Sequence, residues 1–266
     1  MSGPDNFLEL LDEYPVVRAH RHHDSATLRL ARAMADAVGT VRRQAVAAAP
    51  LRVELTADLL VVVEAAVVAA AAAASPAASP ALRALTAWRV HRDATAILGG
   101  VLAIAAPEDR DSTEALRSEL HRTTADTVGL ALQAQRELLD LPGLAQVLAE
   151  IEATHPTEVP DYLEPAAQAV RDLVPVLSRV ADEDYRLDDE GVEAGLAYLF
   201  DPLSATHTGA LLTAHAADRL VVGDARAATI ARRWCYARVR ATTLEGLSPR
   251  HVGKSRRLVQ LQPVTG

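Results

Sequence analysis

Residues 59–74 read LLVVVEAAVVAAAAAA, sixteen positions of apolar side chains broken once, by Glu64. A buried strand rarely exceeds eight residues and alternates when one face is wet, so a run this long and uniform is a helix. Alanine, the strongest helix former, fills half of it. An apolar surface on every side of a helix must be covered on every side, so the sequence predicts a central helix over 54–74 with others packed around it. The run is shorter than the roughly 18 strongly apolar residues expected of a bilayer span. In either setting an unpartnered carboxylate is costly, so Glu64 must find a partner or lose its charge.

The remaining sequence is helical by the same test. No stretch alternates as a half-buried strand does, while apolar residues recur at Leu30, Met34, Val38, Val41 and Ala45 with helical spacing. The expected fold is all-α, a multi-helix bundle of long antiparallel helices. Aromatics make up only 3% of the 266 residues, so the core has to be built from Ala, Leu and Val. Small side chains of this kind let helix axes approach closely. Further helices are expected over 5–13, 15–48, 80–102 with Leu82, Leu85, Trp88, Thr95, Leu98 and Leu102 inward, 111–141, 162–181, 188–199, 204–220 and 224–244, with a short one in the tail. Gly99-Gly100 inside a helix costs about 1 kcal/mol per glycine relative to alanine, which predicts a bend or a close helix contact there. The three prolines of HPTEVPDYLEP (155–165) mark a hinge. Two helical lobes, 1–155 and 156–266, are the expected division, with one continuous domain as the alternative.

Several function classes have no support in the residues. The only cysteine is Cys235, so neither an internal disulfide nor a cysteine-based zinc cluster can form within one chain. There is no GxxxxGK[ST], GxGxxG, GxSxG or HExxH. The acidic start MSGPDNFLELLDE is unlike a secretory signal, which makes a cytoplasmic protein the expectation. Arginine outnumbers lysine 26 to 1, the mark of a GC-rich, bacterial genome.

Charge is unevenly placed. Residues 219–257 hold ten basic side chains against two acids, a local +8, and the rest of the chain holds seventeen against thirty-three, or −16. Two readings follow. The basic end can pair with the acidic body, for little energy at a surface. It can instead dock an anionic partner, protein or nucleic acid, through Arg232, Arg233, Arg256 and Arg257. GLSPRHVGKSRRL (246–258) loosely resembles the second half of a helix-turn-helix. No membrane partner is expected, and a homo-oligomer is compatible with the sequence.

The polar residues on apolar faces define a second candidate site. AHRHHD (19–24) holds three histidines and an aspartate. If a helix begins at Pro15, its apolar stripe runs back through His23 and His20, with Asp24 on the same side and His22 turned away. His20, His23 and Asp24 then form a set suited to a divalent metal. If the helix begins at Asp24 or Ser25, the histidines form a surface loop and the capping residue accepts backbone N–H groups. Glu64 and His91 lie on neighbouring helices and could meet His20, His23 and Asp24 in one polar pocket. His207 and His215, two turns apart on one helix, are further inward candidates. The sequence therefore carries two functional expectations. The first is a helical scaffold or binding module whose basic C-terminal segment meets an anionic partner. The second is a helical enzyme, metal-dependent or acid/base, with a pocket of His20, His23, Glu64 and His91.

Overall fold

A computed structural model describes residues 7–45, 50–104, 110–122, 127–139, 141–181 and 189–240, and these contain helices and no strand. In chain order the helices are α1 (Phe7–Leu11), α2 (Pro15–Ala19), α3 (Ala26–Ala45), α4 (Pro50–Ala73), α5 (Pro80–Ile104), α6 (Arg110–Arg122), α7 (Thr127–Leu139), α8 (Leu141–Thr154), α9 (Glu164–Ala181), α10 (Asp189–Val221) and α11 (Arg226–Trp234). The last runs on into a π-helical turn, Cys235–Val239.

Local chemistry explains where the helices start. Ser25 precedes α3, and its Oγ accepts the Leu28 N–H at 3.1 Å. Ser79 does the same for Leu82 at 3.2 Å, with Pro80 opening α5. Asp224 Oδ1 accepts the Arg226 N–H at 2.9 Å where α11 begins. A side-chain oxygen satisfies, in each case, a donor that has no partner inside the helix. Gly223, at φ 80°, turns the chain between α10 and α11, in a backbone region glycine enters without steric cost.

The helix expected over 15–48 is two helices. Val16 and His20 carbonyls close a turn by accepting from His20 and His23 at 3.3 and 2.9 Å, and the chain re-enters a helix only after the Ser25 cap. The single helix expected over 111–141 is also two, α6 and α7. Conversely, the helices expected at 188–199 and 204–220 are one, α10, which passes through Pro202. A proline removes one donor, and here buried Leu199, Phe200 and Leu203 hold the helix in place on both sides of it. The tail helix and the helix-turn-helix-like stretch lie outside the described residues.

α4 lies in the middle, as its sequence requires, packed by α3, α5, α10, α11 and the short α1 and α2. Its actual length corrects one expectation: Val53–Ala73 is long and apolar enough, by composition, to cross a bilayer. In this fold 61% of its most apolar 18-residue window is buried against protein. α4 and α5 are joined by six residues and run antiparallel, since Gly100 near the end of α5 meets Leu59 near the start of α4. A Cβ on Gly100 would lie 2.8 Å from Leu59 Cδ2, which is the close contact expected of the glycine pair.

One sequence-predicted face is displaced. Leu82, Leu85 and Trp88 are buried, but the inward face then continues through Asp93, Ala94, Ile97 and Val101, leaving Thr95 and Leu102 exposed. The buried Arg89–Asp93 pair is why: the inward stripe includes charged positions that hydrophobic spacing assigns to solvent. Pro-rich 155–163 links α8 to α9 with Leu163 fully buried, and one apolar cluster extends from Phe7 to Val239.

Candidate functional site

Glu64 is fully buried near the middle of α4. Its Oε1 accepts from Arg226 Nη1 at 3.1 Å and from the Tyr14 hydroxyl, while Arg226 Nη2 closes on Oε2. The guanidinium fork matches the carboxylate, giving both charge and direction. Arg226 is 36% exposed at its side chain while Glu64 is 0% exposed, so the cation spans from the core to solvent. Tyr14, the residue that precedes α2, supplies the phenol, α4 the carboxylate and α11 the guanidinium.

Around this centre, the Tyr14 ring stacks on His215 of α10, centroids 3.8 Å apart and 29° from parallel. Burial, and then the adjacent Glu64 charge and hydrogen bond, holds the Tyr14 hydroxyl pKa well above its ordinary value. It is a hydrogen-bond donor, not a base. Burial, with the nearby Arg219 charge, lowers His215 to about 4, so the imidazole is neutral at pH 7. The rim is also charged: Arg219 pairs with Glu13 at 3.1 Å and Asp224 at 2.8 Å. Backbone donation from Arg226 and the Arg219 contact hold Asp224 below its usual range despite partial burial. One level deeper, His207 is enclosed, and burial alone lowers it to about 4.

Chemically, this arrangement is a clamp. Both Glu64 oxygens are engaged, the phenol is committed to the carboxylate, and the neighbouring imidazole is kept neutral by desolvation. It fixes α2, α4 and α11 against one another.

The sequence-predicted residues are placed as follows. His20 is half-buried in the turn after α2, with its ring 6.4 Å from that of His23 and nearly perpendicular to it. His22, His23 and Asp24 are exposed, and Asp24 pairs with Arg29. His23 lines a cleft between the start of α3 and the end of α4. His91 is half-buried on α5. Glu64 is joined to Tyr14 and Arg226, not to these histidines. Among the described residues no three His, Cys, Asp or Glu side chains are grouped to hold a metal ion; His20, His23 and Asp24 therefore form no such group, alone or with Glu64 and His91. The inward pointing of His20 and His23 depended on a helix running unbroken from Pro15, and that helix is interrupted at His20.

A second buried network ties α5 to α10. Arg89, 4% exposed, donates to Asp93 at 2.7 Å, Asp201 at 2.9 Å and Ser204 at 3.3 Å. Its guanidinium also lies 5.0 Å from the Trp234 ring centre, a cation–π contact. Arg92 completes the hold on Asp201 and packs 4.6 Å over Trp88. Burial acts to raise the Asp201 pKa, but the Arg92 hydrogen bond and the charges of Arg89 and Arg92 outweigh it, so the carboxyl stays below its ordinary value.

At the C-terminal end, Arg233 bridges to Glu54 at 2.7 Å and Asp58 at 3.5 Å on α4. Among the described residues, Arg232 and Arg240 do not pair with acids in this way. Arg232 lies 4.3 Å over the ring of Tyr162, and Arg240 lies 5.2 Å over Tyr236. Both tyrosines are exposed, at 46% and 45%. Arg256 and Arg257 lie outside the described residues.

Hydrophobic patterning missed Tyr14, Arg226, Arg89 and Asp93. Glu64 itself was the available signal, because an acid inside an apolar helix demands a cation from elsewhere. Nothing in local spacing tells which of 26 arginines supplies it. In comparisons with protein-family models, curated proteins and solved structures, none matches this chain.

Proposed function

We propose that this protein is a cytoplasmic helical binding module that docks an acidic segment of a partner protein along α11 and the π-helical turn. The observation that carries this reading is two cation–π pairs, half-buried Arg232 over exposed Tyr162 and exposed Arg240 over exposed Tyr236, so that each ring lies under a guanidinium. Arginine and tyrosine are the residues that concentrate binding energy at protein interfaces. A guanidinium already resting on a ring loses less freedom when it meets a carboxylate. Arg233, engaged with Glu54 and Asp58, contributes less, and Arg256 and Arg257 extend the same basic segment in sequence.

An acidic protein segment fits better than nucleic acid. The −16 carried by the rest of the chain repels any anion in proportion to its charge, so a short acidic segment is opposed less than a strand with a phosphate at every nucleotide, and two exposed tyrosines offer no platform for a run of stacked bases. The clamp at Glu64 supports the reading by anchoring the start of α11 to the central helix.

The test is fluorescence anisotropy with a labelled peptide rich in Asp and Glu and with a single-stranded oligonucleotide, at about 50 and 300 mM salt, where screening differs strongly. The peptide should bind, more weakly at high salt, and Arg232→Gln with Arg240→Gln should weaken it roughly tenfold. Affinity unchanged in the double variant removes the two pairs from the mechanism. Preferential binding of the oligonucleotide overturns the choice of partner.

A further inference from the structure

A cleft of about 280 Å³ opens between the start of α3, the end of α4 and the first turns of α5. Its floor is made of Ala70, Ala73 and Ala74, and the shortness of those side chains leaves the space open. Its polar lining is His23, Ser25 and Thr27 from the start of α3, Ser75 from the α4–α5 turn and Arg83 from α5.

The charge of the cleft is positive. Arg83 donates through Nη2 to the Pro76 and Ala78 carbonyls, at 3.2 and 2.9 Å, and meets no carboxylate among the described residues. Its charge is positioned but not neutralised. The adjoining segment 18–32 contains four arginines and one acid, and that acid, Asp24, is taken by Arg29. Arg21 and Arg32 are held by the His22 ring and by a backbone carbonyl respectively. The Ser25 hydroxyl accepts from Leu28 and keeps its own proton to donate. The Ala26 and Thr27 amides, in the first turn, precede any intrahelical bond.

We propose that this cleft binds a small phosphate monoester. The phosphate is held by the Arg83 guanidinium, the Ser25 and Thr27 hydroxyls and the His23 ring, and the uncharged remainder lies over the alanine floor. A tetrahedral oxyanion can use donors from more than one helix at once, where a planar carboxylate favours a single fork. The volume exceeds that of the anion alone, and the apolar floor suits a short neutral body.

Isothermal titration of the full chain with glycerol 3-phosphate, inorganic phosphate and glycerol tests this. One equivalent of glycerol 3-phosphate should bind, more tightly than inorganic phosphate, and glycerol should not bind. Arg83→Gln and Thr27→Ala should each weaken binding roughly tenfold, the loss of one contact to a charged group, and Arg232→Gln should leave it unchanged. The Thr27 side chain makes no hydrogen bond among the described residues, so Thr27→Ala keeps the test intact if Arg83→Gln lowers the melting temperature. Equal affinity in the wild type and in Thr27→Ala, or no heat up to about 10 mM ligand, an affinity too weak for a built site, overturns the proposal. Inorganic phosphate binding as tightly as the ester overturns the ester assignment.

Discussion

Arg226 meets Glu64 across 162 residues of chain, Nη1 to Oε1 at 3.1 Å, and so joins the first helix after the α10 turn to the most apolar helix of the protein. The pair resolves the contradiction posed by a carboxylate in an alanine-rich run. It also ties α11 to α4 at the level of Glu64.

Removing one partner leaves a buried charge unmet. Arg226→Met should destabilise the fold by about 3 kcal/mol, the lower end of the range for breaking buried pairs, because Arg226 is a third exposed. The triple variant Tyr14→Phe, Glu64→Leu, Arg226→Met removes every polar member and should recover most of that loss. Urea midpoints at unchanged slope provide the measurement. A triple variant no more stable than the single would mean that the clamp is worth more than its cavity.

Acid sensitivity follows from the two enclosed histidines. Each has a folded pKa near 4, below the unfolded value of about 6.5. Below 6.5 the unfolded state therefore binds more protons, so stability is full above that pH and declines toward pH 4. The slope contributed by His207 approaches about 1.4 kcal/mol per pH unit within that window. Chemical denaturation at a series of pH values should show the decline, and His207→Gln should flatten it. A parallel decline in that variant would assign the effect to other groups.

Cys235 should be inert while the protein is folded. Burial pushes its thiol up to about 12, and the thiolate is the nucleophile. A thiol reagent at pH 8 should modify it only in denaturant; stoichiometric labelling of native protein would show that the end of α11 opens readily.

Glycines in two helices should respond in opposite ways to alanine. A Cβ on Gly99 meets nothing within 4 Å, whereas one on Gly209 lies 3.2 Å from Cys235 Sγ and 3.3 Å from Val170 Cγ2. Gly99→Ala should therefore stabilise by about 0.5–1 kcal/mol through helix propensity and the unfolded chain. Gly209→Ala must displace buried neighbours and should destabilise. Thermal melts of the two variants compare them directly, and a stabilising Gly209→Ala would mean that the α10–α11 contact is loose.

The sequence by itself determined the class of fold, the central position of α4 and most of its enclosure, because an apolar helix surface has to be covered whatever covers it. It determined as well that Leu30, Met34, Val38 and Val41 would be buried, and that Glu64 would need a partner. Periodicity could not decide between two starts for the helix at His20–His23; the competition was settled by the Ser25 cap, and with it the direction those histidines face. Tertiary structure alone decided that Tyr14 and Arg226 answer Glu64, that Arg89 and Asp93 lie on the buried face of α5, and that Pro202 is carried through a continuous helix. These outcomes depend on contacts between residues up to 162 positions apart. Local propensity and spacing reach only three or four residues along a helix, so a charge pair between helices is fixed by how they pack and not by either segment alone.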